Sequence, residues 1–194
     1  FLLLQTFKKN VILPRANAEC DLRAPGNNTE YSMEKRKGSL LSFRPDIKVL
    51  DATLRDGGLC NNFAFSDEFA RALYAMNLAA GVDYMEMGYK ASRDLFDPAK
   101  FGKYKFCNEK DIQNIVGENK TAMKLSVMAD VGRTDFRRDI GKKADSVIDM
   151  VRVACYIYEI PAAIEMIEYC HKMGYETCVN VMAVSKAKDE DIDD

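Results

Sequence analysis

The spacing of apolar positions changes at about residue 46. Before it, polar, proline, glycine and asparagine residues mix without a sustained period, as in Ala24-Pro25-Gly26-Asn27-Asn28. Such a stretch cannot bury a continuous apolar face, so residues 1–45 are expected to form a poorly ordered extension. After it a rhythm sets in. Ile47 to Leu54 is a short apolar run rich in β-branched residues, and Gly57-Gly58 reads as the turn that follows it. Ser66 is a good helix N-cap, with Asp67 and Glu68 in the first turn, where the helix dipole favours negative charge. Phe69, Leu73, Met76 and Ala80 fall at helical spacing, and Gly81 is the expected stop.

The unit then repeats. Val82 to Gly88 predicts a strand, a long loop follows, and Glu109 to Val116 predicts a helix. Lys124 to Val131 predicts a third strand, residues 136–144 a short helix, and Asp149 to Tyr156 a fourth strand. Pro161 suits the first turn of a helix with Ala163, Met166, Ile167 and Cys170 on its apolar face, and Gly174 ends it. Glu176 to Val184 predicts a fifth strand. Alternation of this kind implies a parallel sheet with right-handed crossovers. An open doubly wound sheet and the first five units of a (β/α)8 barrel both satisfy it. No G-x-G-x-x-G follows the first strand, which argues against a dinucleotide-binding version. A complete barrel takes about 250 residues. On the barrel reading, residues 46–194 are a partial catalytic domain whose later strands lie beyond Asp194, and Met33 is a plausible start that would leave residues 1–32 upstream of it.

Composition alters this picture little. The 194 residues are 47% hydrophobic and 30% charged with net charge −2, an ordinary globular balance that gives no electrostatic reason to expect nucleic acid. No apolar run approaches the ~20 residues of a membrane span. Phe1-Leu2-Leu3-Leu4 lacks the charged flank of a signal peptide. The six cysteines form no C-x-x-C pair and no disulfide framework, which suggests a reducing, cytoplasmic setting.

Chemistry in parallel α/β folds sits at the C-terminal ends of strands. The first end offers Arg55 and Asp56, the second Glu86, Gly88 and Tyr89, the third Met128 and Asp130, the fourth Arg152, Ala154 and Tyr156, and the fifth Asn180 and Met182. An aspartate there is a fitting hard-oxygen ligand for a divalent cation, and a neighbouring arginine suits an oxyanion. From composition alone, Arg-Asp-Gly is also a common turn with a surface ion pair. The loop from Lys90 to Phe106 interleaves Lys90, Arg93, Lys100, Lys103 and Lys105 with Phe96, Phe101, Tyr104 and Phe106. It reads either as a lid for an anionic substrate or as a solvated loop with aromatic anchors.

Asp51-Ala52-Thr53-Leu54-Arg55-Asp56-Gly57-Gly58 resembles the first-strand signature of the DRE-TIM metallolyases, which include hydroxymethylglutaryl-CoA lyase, isopropylmalate and homocitrate synthases and 4-hydroxy-2-oxovalerate aldolase. Tyr84-Met85-Glu86-Met87-Gly88-Tyr89 is similar to the second-strand pattern, and Met150-Val151-Arg152-Val153-Ala154 to the fourth-strand pattern of the aldolase branch. The resemblance implies a TIM barrel and a carbon–carbon lyase or aldolase acting on a 2-oxo acid or acyl thioester through an enolate. It implies Mn2+ or Mg2+ held by Asp56, with Arg55 on the enolate and Glu86 a carboxylate near the metal, or else a partner of Arg152. Two departures stand against it. The family's His-x-His pair belongs to a seventh strand, and the single histidine here, His171, falls on a predicted helix and is read as a solvated or partly packed residue, not a ligand. The aldolase branch also places a histidine after Arg-Asp-Gly, where this chain has Gly58-Leu59-Cys60-Asn61-Asn62-Phe63, so a different general base is needed. No flanking residue marks Cys60 as an activated nucleophile. On these grounds residues 1–194 alone are expected to be weakly active or inactive. A degenerate, non-catalytic barrel serving as a binding or assembly module is the competing reading, and the oligomeric state, a homo-oligomer included, stays open.

Overall fold

The computed structural model describes residues 2–5, 47–188 and 190–193. Most of the predicted extension, Met33 included, therefore lies outside the described residues. Strands β1 (Leu2–Gln5), β2 (Lys48–Asp51), β3 (Tyr84–Tyr89), β4 (Lys124–Asp130), β5 (Met150–Tyr156) and β6 (Glu176–Met182) form one sheet in the order β1-β2-β3-β4-β5-β6. Strands β2 to β6 pair in parallel, each with the next in sequence. A doubly wound sheet reverses its order at a switch point. The monotonic order here excludes that solution, and the sheet curls as a partial TIM barrel of about five βα units.

Helices α1 (Thr53–Asn61), α2 (Asp67–Ala80), α3 (Glu109–Val116), α4 (Phe136–Asp139), α5 (Ile160–Lys172) and α6 (Glu190–Asp193) accompany the strands. Strand alternation sorts the side chains into two layers. Met85, Met87, Leu125, Val127, Ala129, Val151 and Val153 face the helices, where Ala70, Ile112, Ile115, Ala163, Met166 and Cys170 close the main core. Parallel partners share a face, so Glu86, Ser126 and Met150 line the concave side, with Met128, Arg152 and Cys178 one step further along and Asp130, Ala154 and Asn180 above them.

Besides the helix expected over residues 136–144, which stops at Asp139, three local outcomes differ from the sequence pattern. The first strand does not run to Leu54. Asp51 Oδ1 accepts the Thr53 N–H at 3.2 Å, which turns the chain at once into α1. Gly57 and Gly58 therefore lie inside a helix and make no turn. Gly58 is needed for packing, since a Cβ there would stand 2.1 Å from Cδ1 of the buried Phe63 ring. The third outcome concerns α2, whose inward stripe is Ala70, Leu73, Tyr74, Asn77 and Leu78, while Phe69 and Met76 are exposed. Asn77 is tolerated inside because its Nδ2 donates to Asp51 Oδ2 at 2.8 Å.

The predicted caps of α2 form. Ser66 Oγ accepts from the Phe69 N–H at 3.1 Å, and Gly81 adopts the left-handed conformation. Ser66→Ala is expected to cost about 1 kcal/mol, a fall of roughly 2–4 °C in the unfolding midpoint; a thermal melt unchanged from wild type would show that this cap contributes nothing.

Candidate active site

The strand ends converge on a group of charged side chains that is almost entirely buried. Arg55, in the first turn of α1, is 8% exposed. Its Nε donates to Glu86 Oε2 at 2.7 Å, and its Nη1 donates to the adjacent Asp56. Glu86 and Arg152 are both fully buried, and Arg152 Nη1 donates to both oxygens of Glu86 at 2.8 Å. Arg152 Nη2 reaches Asn180 Oδ1 at 3.5 Å. One carboxylate thus lies between two guanidiniums. The pairing of Glu86 with Arg152, one of the two sequence expectations for this glutamate, is what the structure contains.

The position of Tyr89 follows from an irregularity in β3. The ladder to β4 shifts between Glu86 and Tyr89, so Glu86 pairs with Ser126 and Tyr89 with Met128. The extra residue turns Tyr89 to the same concave face as Glu86, as a bulge does. Burial raises the Tyr89 pKa, and the Arg55 charge opposes that. Burial lowers the pKa of Arg55 too, but Glu86 outweighs it, joined by Tyr89 and Asp56, so the guanidinium is held above its ordinary value. Arg55 is a permanent cation at this site.

Asp130, at the end of β4, has its carboxyl pKa raised by burial, against the pull of Lys105, Arg133 and Arg55. Lys105 comes from the long loop after β3 and is 6% exposed. Lys105 and Lys90 are both buried, and Lys90 is tied to the Cys107 carbonyl at 2.8 Å and to Glu109 at 3.0 Å. Asp130 and Lys105 were both visible as residue types but not as a pair. The alternation Ser126, Met128, Asp130 along β4 is the one signal that places Asp130 with Glu86.

Of the residues named from the sequence, Arg55, Asp56 and Glu86 are brought together and Asn180 joins them through Arg152. His171 is exposed in the last turn of α5, as expected for a solvated residue. Cys60 is exposed near the end of α1, and the five described cysteines are all free. A cavity of about 310 Å³ lies elsewhere, lined by Lys90, Arg93, Arg138 and Ser146 among others. Two of its cations are ion-paired, Lys90 with Glu109 at 3.0 Å and Arg138 with Asp94 at 2.6 Å and Asp139 at 2.9 Å.

The donor chemistry of Asp56 fits a divalent cation. Its side chain is 30% exposed, its ion-pair partner among the described residues is Arg55, and a hard carboxylate oxygen is what Mg2+ or Mn2+ prefers. Among the described residues no three His, Cys, Asp or Glu side chains cluster as a ligand set. Asp56 can supply one donor, and a complete ligand set would need water, substrate or residues outside the described set.

Among the described residues no helix is long and apolar enough to cross a membrane. No family model matches the chain. Over 154 residues, 77% of its length, the chain is 24% identical to 4-hydroxy-2-oxovalerate aldolase 6 of Rhodococcus jostii (strain RHA1). It spans 42% of the length of that relative.

Proposed function

We propose that this chain carries the arginine–aspartate side of a DRE-TIM metallolyase site, in a lyase that cleaves or forms a carbon–carbon bond next to the carbonyl of a 2-oxo acid. The likeness to an aldolase supports a lyase- or aldolase-like domain, and the T-L-R-D-G stretch supports the same superfamily. The observation that carries the chemistry is the fixed placement of Arg55. Its Nε and Nη1 are committed to Glu86 and Asp56, which fixes the guanidinium beside Tyr89.

In this reading Asp56 holds Mn2+ or Mg2+. The bound cation would draw electron density from the substrate's carbonyl and carboxylate oxygens. Arg55 donates hydrogen bonds to the carbonyl oxygen, and those bonds strengthen as that oxygen gains charge. Glu86 is a positioning residue here, because both its oxygens are occupied by arginines and it fixes the orientation of Arg55. Arg55 and Arg152 together balance the charges of Glu86 and Asp56, so the positive charge that suits an anionic 2-oxo acid would come from the bound cation.

Metal binding tests this. Calorimetry with Mn2+ is expected to give saturable binding to the wild-type chain, weakened at least about tenfold in Asp56→Asn, which removes the charge of a ligand carboxylate. A wild-type chain that takes up neither Mn2+ nor Mg2+, or an Asp56→Asn protein that binds as tightly, would remove the basis of the metallolyase reading.

A further inference from the structure

Among the described residues Lys105 is the cation most surrounded by aromatic rings. Its Nζ lies 4.2 Å from the ring centre of Phe96, 4.5 Å from Tyr89, 5.1 Å from Phe63 and 5.9 Å from Phe101. The rings attract the charge but cannot replace the three hydrogen bonds an ammonium makes in water. Among the described residues none forms a hydrogen bond or ion pair with this nitrogen.

Asp130 has the complementary deficit. Its Oδ1 is buried with no hydrogen-bond partner. The two groups feel each other's charge, yet no N–O contact within 4.0 Å joins them. An ammonium held among aromatic rings and a buried carboxylate oxygen, each without a bond and each sensing the other's charge, match one common substrate group, a hydroxyl, which accepts and donates through a single oxygen. Tyr89 links this pair to the arginine site, since its ring walls Lys105 and its hydroxyl end senses Arg55.

We infer that Asp130 is the general base of carbon–carbon cleavage, and that Lys105 is the cation that seats the reacting hydroxyl against it. The inference rests on the lyase reading above. It supplies the base that the missing histidine after Arg55-Asp56-Gly57 leaves unassigned. The hydroxyl proton passes to Asp130, the hydroxyl carbon becomes an aldehyde carbonyl, and the bond to the neighbouring carbon breaks. Its electron pair becomes the enolate of the 2-oxo acid, whose oxygen faces Arg55. Water then protonates the enolate carbon and Asp130 releases its proton to water. Burial raises the Asp130 pKa, which moves it toward the basicity a general base needs. The charged groups that face it are Lys105, Arg133, Arg55 and Glu86.

Calorimetry in the presence of Mn2+ tests the pair with two probes, 4-hydroxy-2-oxopentanoate and 2-oxopentanoate, which differ by the one hydroxyl. The wild-type chain is expected to favour the hydroxy acid about tenfold, the effect of one well-formed buried hydrogen bond or slightly more. Asp130→Ala and Lys105→Met should each bring the ratio close to one. Equal wild-type affinities, or a ratio that survives both substitutions, would overturn the proposal alone. Binding of neither acid would overturn the lyase reading and the proposal with it. A stability measurement separates a chemical role from a structural one and remains informative if Asp130→Ala fails to fold. The raised carboxyl pKa means the folded chain holds that proton more tightly than the unfolded one. The stability Asp130 contributes is therefore complete below the ordinary carboxylate pKa and is lost as pH rises through its folded value. At neutral pH the isosteric Asp130→Asn should unfold no more easily than wild type. A clear loss of stability would show that the carboxylate holds the fold together, and would overturn the proposal.

Discussion

Glu86→Gln is expected to lower the free energy of unfolding by about 3–5 kcal/mol, the cost of removing one partner from a buried ion pair. For a domain of this size that is a fall of roughly 10 °C in the midpoint. The effect is large because Glu86 serves two cations. Arg152 is fully buried and Arg55 nearly so, and the carboxylate accepts from both. Glutamine keeps the shape and one acceptor oxygen but not the charge, and its NH2 group would point donors at guanidiniums that have none to accept. Urea denaturation at neutral pH measures the loss. The double variant Glu86→Leu, Arg152→Leu tells charge from packing. It removes the more buried cation along with its partner, so it should be more stable than Glu86→Gln, although two bonded groups are gone. A loss below about 1 kcal/mol in Glu86→Gln would mean the two arginines do not depend on this carboxylate. The same variant should weaken binding of a 2-oxo acid, because Arg55 loses the bond that aims it.

That dependence was legible in the sequence only in part. The βα rhythm, the Ser66 cap, the Gly81 stop and the α3 limits are local properties, written in residues a few positions apart, and each appears where the pattern puts it. The choice between barrel and doubly wound sheet was not local. It depends on whether each strand lies beside its predecessor, and spacing is the same in both. The inward stripe of α2 was misplaced because hydrophobic periodicity puts Phe69 and Met76 inside and has no means of counting Asn77 as a core residue. Asn77 becomes one through its bond to Asp51, 26 positions away. The helix at Thr53 was hidden for a similar reason, since two glycines read as a turn unless the Phe63 ring that fills the space beside Gly58 is known. The site shows the same division. Arg55 and Asp56 follow directly on the first strand pattern and Glu86 lies in the second, so they could be named. Lys105 could not be singled out from the other basic residues of its loop, because only the fold decides which one enters the aromatic rings.

Gly88 ties that loop to the sheet, and Gly88→Ala is the substitution with the other largest expected effect. Its φ of +153° is one that residues with a side chain rarely adopt, and a Cβ there would stand 1.9 Å from the Tyr104 carbonyl oxygen and 2.9 Å from Cys107 Sγ. The conformational strain costs about 1–3 kcal/mol and the overpacking about 1–3 kcal/mol more. The carbonyl has little freedom to retreat. The Lys105 N–H is bonded to Gly102 O at 3.0 Å, and the Lys105 carbonyl accepts from Ala91 N at 3.1 Å. Gly81 provides the control. It also has positive φ, at +70°, but nothing lies within 4 Å of its missing Cβ. Gly81→Ala should therefore cost only about 1 kcal/mol. Urea denaturation is expected to rank Gly88→Ala well below Gly81→Ala, and equal losses would show that contact with Tyr104 contributes nothing. The two variants should also separate in ligand binding. Any relief of the clash must move residues 104 and 105, and with them the Lys105 ammonium. Folded Gly88→Ala protein should thus lose preference for a hydroxylated 2-oxo acid, while Gly81→Ala keeps it.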